Sequence, residues 1–139
     1  MPKTEKSLSN LLKQHMPKRT HYQRIENRAG EGMPDVYICM DGVPLWVELK
    51  IIKNNRVSVS KSQIAWHSAH NRCGGVSFFL LHDPCQGDLY LFGGASTLDL
   101  GASCVSALRP ASLYIGSMAG AVRELRACGL AAWSGSFIA

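Results

Sequence analysis

The 139-residue chain has no Cys-x-x-Cys pair, no even set of cysteines and no apolar run long enough to cross a membrane. Its five cysteines, Cys39, Cys73, Cys85, Cys104 and Cys128, stand singly and far apart. An odd, dispersed set argues against a disulfide framework and a structural zinc site; it reads instead as small buried residues of a reducing compartment. Spanning a bilayer takes about 20 consecutive apolar residues, and polar residues interrupt every apolar stretch well before that. The first residues, Met1 to Lys6, are basic but lead into a polar amphipathic stretch rather than an apolar signal core. The expectation is a soluble, cytoplasmic protein with no membrane partner. Internal repeats and low-complexity linkers are also missing, and 46% hydrophobic against 18% charged residues excludes wholesale disorder.

Acidic charge is scarce. Ten Asp and Glu face fifteen Lys and Arg, leaving a net charge of +5, which suits a polyanionic partner. The excess is uneven: from Ser62 onward only Arg72, Arg109, Arg123 and Arg126 remain basic. The amino-terminal half therefore carries both the positive charge and the chemistry below.

The pattern of apolar residues predicts alternating helices and strands. Leu8, Leu11, Leu12 and Met16 recur at helical spacing after Thr4, a suitable N-cap, and Pro17 ends that helix. A short strand is expected over 21–27, then a Gly-rich turn at Ala29 to Gly32. Val36–Met40 and Leu45–Ile52 read as strands joined at Asp41-Gly42, a strong hairpin signal. Ser60–Cys73 reads as a helix opened by a Ser60/Gln63 capping box and closed by Gly74-Gly75. Strands at Val76–Leu81 and Leu89–Phe92 follow, with His82 in the turn-rich loop between them. A loop-rich stretch to about Pro110 leads to a last helix near Ser117–Cys128, ended by Gly129. The fold class is α/β in the α+β sense, a central mixed sheet flanked by helices. One domain over 1–139 is expected, with core motifs in 4–92 and a helical extension over 110–139.

The hairpin has a chemical consequence. With Asp41 and Gly42 as the two turn residues, Met40 faces Val43 and Asp35 faces Glu48. Directly opposed residues hold their Cβ atoms about 5 Å apart on one face, where two carboxylates repel. A divalent cation reverses that sign: Mg²⁺ takes one or two carboxylates together with waters and substrate phosphate. Trp46, Glu48 and Lys50 share a face by strand period, so a cation stands one pleat from the carboxylates, placed to neutralise charge on a phosphate. Pro44 cannot donate to a ladder, and a one-residue slip there would part the pair.

Pro34-Asp35, twelve intervening residues and Glu48-Leu49-Lys50 together resemble the PD-(D/E)XK nuclease superfamily. Gly32-Met33-Pro34-Asp35 and Trp46-Val47-Glu48-Leu49-Lys50 look most like small Holliday-junction resolvases and virus-type replication-repair nucleases. The resemblance implies a restriction-endonuclease-like core, metal ligation by Asp35 and Glu48 with help from the Leu49 carbonyl, and Lys50 as catalytic lysine. It also implies an acid from the first helix. Glu5 is the candidate, because Glu5, Leu8 and Leu12 fall on one helical stripe expected to face the sheet. Glu26 is the rival, and Glu31 in the loop is a weaker one. Gln63 matches the glutamine such proteins carry on the next helix, where it would orient water or phosphate; the capping box gives it a purely structural alternative.

These readings predict a Mg²⁺-dependent endodeoxyribonuclease, with Mn²⁺ able to substitute. Catalytic Asp35, Glu48, Lys50 and Gln63 would be joined by Lys3, Lys6, Arg28, Lys53, Arg56 and Lys61 contacting the DNA backbone. A lone nuclease domain selects by shape, so branched or junction DNA and a homodimer are expected, in recombination, repair or replication and in a phage or mobile-element setting. The alternatives are an inert nucleic-acid-binding module of the same fold, a flap or single-strand nuclease, and an interaction protein using the apolar carboxy-terminal third. His67 and His70 read as surface or half-buried residues, Gly93-Gly94 as too little for a phosphate loop, and Met118, Val122 and Leu125 as core packing or an oligomer interface.

Overall fold

The computed structural model describes residues 2–25 and 32–136, with side chains to Trp133. Six strands form one sheet in sequence order: β1 (His21–Arg24), β2 (Val36–Met40), β3 (Val43–Ile51), β4 (Ser77–His82), β5 (Leu89–Gly93) and β6 (Tyr114–Gly116). All neighbours are antiparallel except β3 and β4, which run parallel. That single parallel step needs a crossover, and α2 (Lys61–Arg72) supplies it. α1 (Glu5–Gln14), α3 (Thr97–Ala102) and α4 (Met118–Ser136) are the other α-helices among the described residues. The sheet is mixed and helix-flanked, as predicted.

Strand alternation sorts the two faces. Val43, Leu45, Val47 and Leu49 of β3 join Leu8 and Leu12 of α1 and Met118, Val122 and Leu125 of α4 in one core. Phe79, Leu81, Tyr90 and Phe92 form a second core with Leu100 and Val105. Glu48 and Lys50, out of phase with the first set, point to the second face, where α2 packs.

The hairpin register is the predicted one. Met40 pairs with Val43, Cys39 with Pro44 and Val36 with Val47, while Asp41 and Gly42 take φ of 54° and 76°, as a type I′ turn requires. Pro44 does no harm for two reasons. Its pair with Cys39 lies between hydrogen-bonded pairs, and β4 begins pairing only at Trp46–Ser77.

Four expectations are corrected. The last helix does not stop at Gly129: a Cβ there would stand 2.7 Å from Leu45 Cδ2, so this glycine lets α4 approach the sheet. The stretch before it is not all loop, because β6 and α3 form within or beside it. His82 ends β4 and is buried rather than lying in a loop. None of the cysteines is fully buried, and Cys73 and Cys85 are exposed. Among the described residues no helix is long and apolar enough to cross a membrane.

Candidate functional site

Asp35 immediately precedes β2, and the register carried one residue further sets it opposite Glu48. It is held at both ends. The Ile25 N–H donates to its backbone carbonyl at 2.8 Å, and the Leu49 N–H donates to its Oδ2 at 2.9 Å. The Leu49 N–H points to the β2 side where that strand has not begun, so the carboxylate takes the place of the missing strand carbonyl. Asp35 is 5% exposed and Glu48 1%; two carboxylates are thus buried side by side where the sheet opens.

Lys50, one pleat beyond Glu48, is half-buried, and its Nζ donates to Gln63 Oε1 at 3.0 Å. The same Oε1 accepts the Ser60 N–H at 3.0 Å, while Ser60 Oγ accepts the Gln63 N–H at 3.1 Å. The capping box and the lysine contact are therefore one arrangement: closing the first turn of α2 fixes the oxygen that holds Lys50. Gly32 locks this corner. Its φ is +81°, and a Cβ on it would lie 2.1 Å from the Ser62 carbonyl oxygen, so the segment leading to Asp35 sits directly on the start of α2.

Beyond Lys50 a cleft of about 530 Å³ is lined by Lys3, Thr4, Glu5, Lys50, Lys53 and Arg56, among others. Glu5 does not face inward as its helical stripe suggested. It is exposed in the first turn of α1, and α1 packs on the face of Val47 and Leu49, opposite to that of Glu48. It lines the cleft together with Lys50. Lys3, Lys6, Lys53, Arg56 and Lys61 are exposed, but Lys6 and Lys61 do not line that cleft. Arg28, Glu26 and Glu31 lie outside the described residues.

His67 corrects a second reading of α2. It is fully buried, because the crossover lays α2 flat over β3 and β4. Its Nε2 stands 3.8 Å from Glu48 Oε1, its Nδ1 lies 2.9 Å from Ser77 Oγ, and its ring leans on Phe79 with centroids 4.5 Å apart. Burial, then the neighbouring His70 and Lys50, lower its pKa to about 4, so the ring is neutral. The apolar setting of a lone histidine is a tertiary property, and no local motif announces it. Next to it an aromatic run continues along the same face: Tyr37 meets Trp46 at 5.2 Å, Trp46 meets Trp66 at 5.5 Å, and Trp66 stacks on His70 at 4.6 Å.

The donor set fits a hard divalent ion of the Mg²⁺ kind, which needs few protein ligands and keeps waters. Asp35 and Glu48 are oxygen donors in register, and the Leu49 carbonyl follows Glu48 directly in sequence. Among the described residues no three His, Cys, Asp or Glu side chains gather closely enough to hold a metal by themselves.

No protein-family model matches the chain, and no curated protein matches it either. Among solved structures, the 1.6 Å structure of Hjc, a Holliday junction resolvase from the archaeal hyperthermophile Archaeoglobus fulgidus, is similar to this chain. The match has a TM-score of 0.49 and 17% identity, and covers 66% of this chain and 74% of that one.

Proposed function

We propose that this chain is a metal-dependent nuclease that hydrolyses phosphodiester bonds in DNA. One observation carries the reading: two buried carboxylates stand in register on a hairpin, with a lysine next on the same face and a basic cleft beyond it. Like charges so placed are destabilising, and a sequence that keeps them there gains from the cation they attract. The tripeptide Glu48-Leu49-Lys50 after Pro34-Asp35 supports the same reading through its resemblance to PD-(D/E)XK nucleases.

In this reading Asp35 and Glu48, with the Leu49 carbonyl, would hold Mg²⁺ or Mn²⁺. The bound ion supplies Lewis acidity toward the phosphate and lowers the pKa of its water. Lys50 places its ammonium against charge developing on the phosphate, and Gln63 fixes where that ammonium sits. Lys3, Lys53 and Arg56 in the cleft, together with Lys6, Lys61 and Arg28, bind the backbone without reading sequence. Glu5, which lines the cleft with Lys50, is the proposed third acid, with Glu26 as its rival. Branched or junction DNA is the proposed substrate and a homodimer the proposed form, since two-fold symmetry supplies two cuts. Recombination, repair or replication, in a phage or mobile element, is the proposed setting.

Labelled four-way junction, flap, single-stranded and linear duplex DNA incubated with Mg²⁺ or Mn²⁺ test this. Cleavage of the junction above the duplex is the expected result, abolished by EDTA and restored by excess metal. Preference for the flap or single strand would redirect the substrate alone. Protein that binds these DNAs and cuts none is an inert binding module, and the nuclease reading is then lost.

A further inference from the structure

His67 stands against Glu48, and the proposed chemistry leaves it without a task. Its Nδ1 side is anchored: Ser77 Oγ lies 2.9 Å away, and 3.1 Å from Asn71 Oδ1. Its Nε2 is buried, 3.8 Å from Glu48 Oε1, and makes no hydrogen bond among the described residues. Gly94 closes over the anchor. A Cβ on Gly94 would stand 2.0 Å from Ser77 Oγ and 2.8 Å from the Asn71 amide nitrogen, so glycine at this position is what leaves the three side chains room to meet.

Which way the protons run follows from the carboxylate. A serine hydroxyl has one proton. If Ser77 donates to Asn71, a neutral His67 must donate from Nδ1, and the bare lone pair of Nε2 faces a carboxylate oxygen of Glu48 in a region closed to solvent. That arrangement is repulsive and costly at low dielectric. Turning the Asn71 amide over, which exchanges its oxygen and nitrogen without moving other atoms, reverses the chain: Asn71 donates to Ser77, Ser77 donates to Nδ1, and Nε2 carries its hydrogen toward Glu48.

We propose that Asn71, Ser77 and His67 form a proton-ordered relay whose end, the His67 Nε2–H, positions Glu48 for metal binding. His67 is a positioning residue in this scheme and touches neither metal nor DNA. The inference rests on the reading of Glu48 as a metal ligand. A histidine N–H turned toward a metal-binding carboxylate attracts the nearer oxygen across 3.8 Å and so favours one orientation of the group; outer partners of a metal site are worth about 10- to 100-fold in metal affinity.

Two measurements test it. Imidazole ¹⁵N–¹H correlation on the metal-free wild-type chain should show His67 as the Nε2–H tautomer; the Nδ1–H tautomer overturns the relay. Mn²⁺ titration, followed by calorimetry or spin resonance without DNA, should show affinity about 10- to 100-fold weaker in His67→Leu. His67→Gln, which keeps an N–H at about the reach of Nε2 but gives up the Ser77 contact, should recover part of that loss. Asn71→Asp removes the donor that starts the relay, so it should weaken Mn²⁺ while the protein stays folded by circular dichroism. If His67→Leu fails to fold, Asn71→Asp and the tautomer decide the matter. Unchanged Mn²⁺ affinity in the folded variants means that His67 merely packs. A wild-type chain that takes up no Mn²⁺ overturns this inference along with the metal reading. One that binds Mn²⁺ but cuts nothing overturns the nuclease reading and leaves the relay standing.

Discussion

At the scale of single residues, Asp35 does two things that substitution can separate. Its Oδ2 accepts the Leu49 N–H, a bond that an asparagine oxygen can also accept, so Asp35→Asn should keep the fold. The same change removes an anionic ligand from the proposed metal site. Asp35→Asn and Glu48→Gln should therefore abolish cleavage while DNA binding in filter or anisotropy assays stays equal or tightens, because negative charge near the phosphate is lost. Lys50→Ala should slow cleavage by orders of magnitude with Mn²⁺ affinity little changed. Gln63 offers a finer separation, since its Oε1 serves both Ser60 and Lys50. Ser60→Ala removes the cap hydroxyl at a cost of about 1 kcal/mol in urea unfolding, with near-normal turnover. Gln63→Ala should cost a similar amount and also lower kcat; equal kcat in the two variants would leave Gln63 a cap only.

At the scale of elements, two glycines carry the packing of helices on the sheet. Gly32 combines a left-handed φ of +81° with a backbone carbonyl 2.1 Å from any added Cβ. Gly32→Ala is expected to cost at least about 1–3 kcal/mol from backbone strain. It should also shift α2 away from Asp35, so that Tm and cleavage fall together. Gly129 differs, because its obstacle is the end of a leucine side chain, Leu45 Cδ2. Replacing glycine by alanine gains about 1 kcal/mol of helix propensity, which offsets a small repacking. Gly129→Val exceeds that room and should lower stability by about 1–3 kcal/mol; unchanged unfolding would mean α4 stands off the sheet. The elements most visible in the sequence are those with paired signals. Thr4 and Ser60 cap α1 and α2, and Asp41-Gly42 fixes the hairpin. β6 was missed because its three residues, Tyr114–Gly116, are too short for any period, and they become a strand only through β5.

At the scale of the whole molecule, basic charge has a place as well as a sum. Lys3, Lys50, Lys53 and Arg56 surround one cleft, whereas the net charge of +5 says nothing of position. If the cleft holds a DNA backbone, Lys53→Ala and Arg56→Ala should each weaken binding evenly across sequences. Each should also reduce the slope of log affinity against log salt by roughly 1. Lys18→Ala, exposed after α1 and away from the cleft, should change little. Equal slopes for all three variants would move the DNA path elsewhere. Arg126 shows why a charge count is not enough: its guanidinium is engaged with Asp41 at the hairpin turn, which lowers the Asp41 pKa through that hydrogen bond.

What the sequence determined by itself was local or periodic. Turn chemistry at Asp41-Gly42 set a register that brings Asp35 opposite Glu48, and the strand period put Lys50 on the same face. Those relations follow from backbone geometry within 16 residues and survive any packing that keeps one face buried. Tertiary structure decided the rest. Glu5 is exposed although Leu8 and Leu12 on its stripe are buried, because it stands in the first turn of α1 where the cleft opens. His67 gained a buried place against Glu48 because the parallel β3–β4 step obliges α2 to cross over that carboxylate. Gly94, unremarkable in the chain, makes room for Ser77 and Asn71 only because β5 brings it there. Short-range stereochemistry carries the pair of carboxylates; what lies beneath and beside them depends on which surfaces the sheet had left to cover.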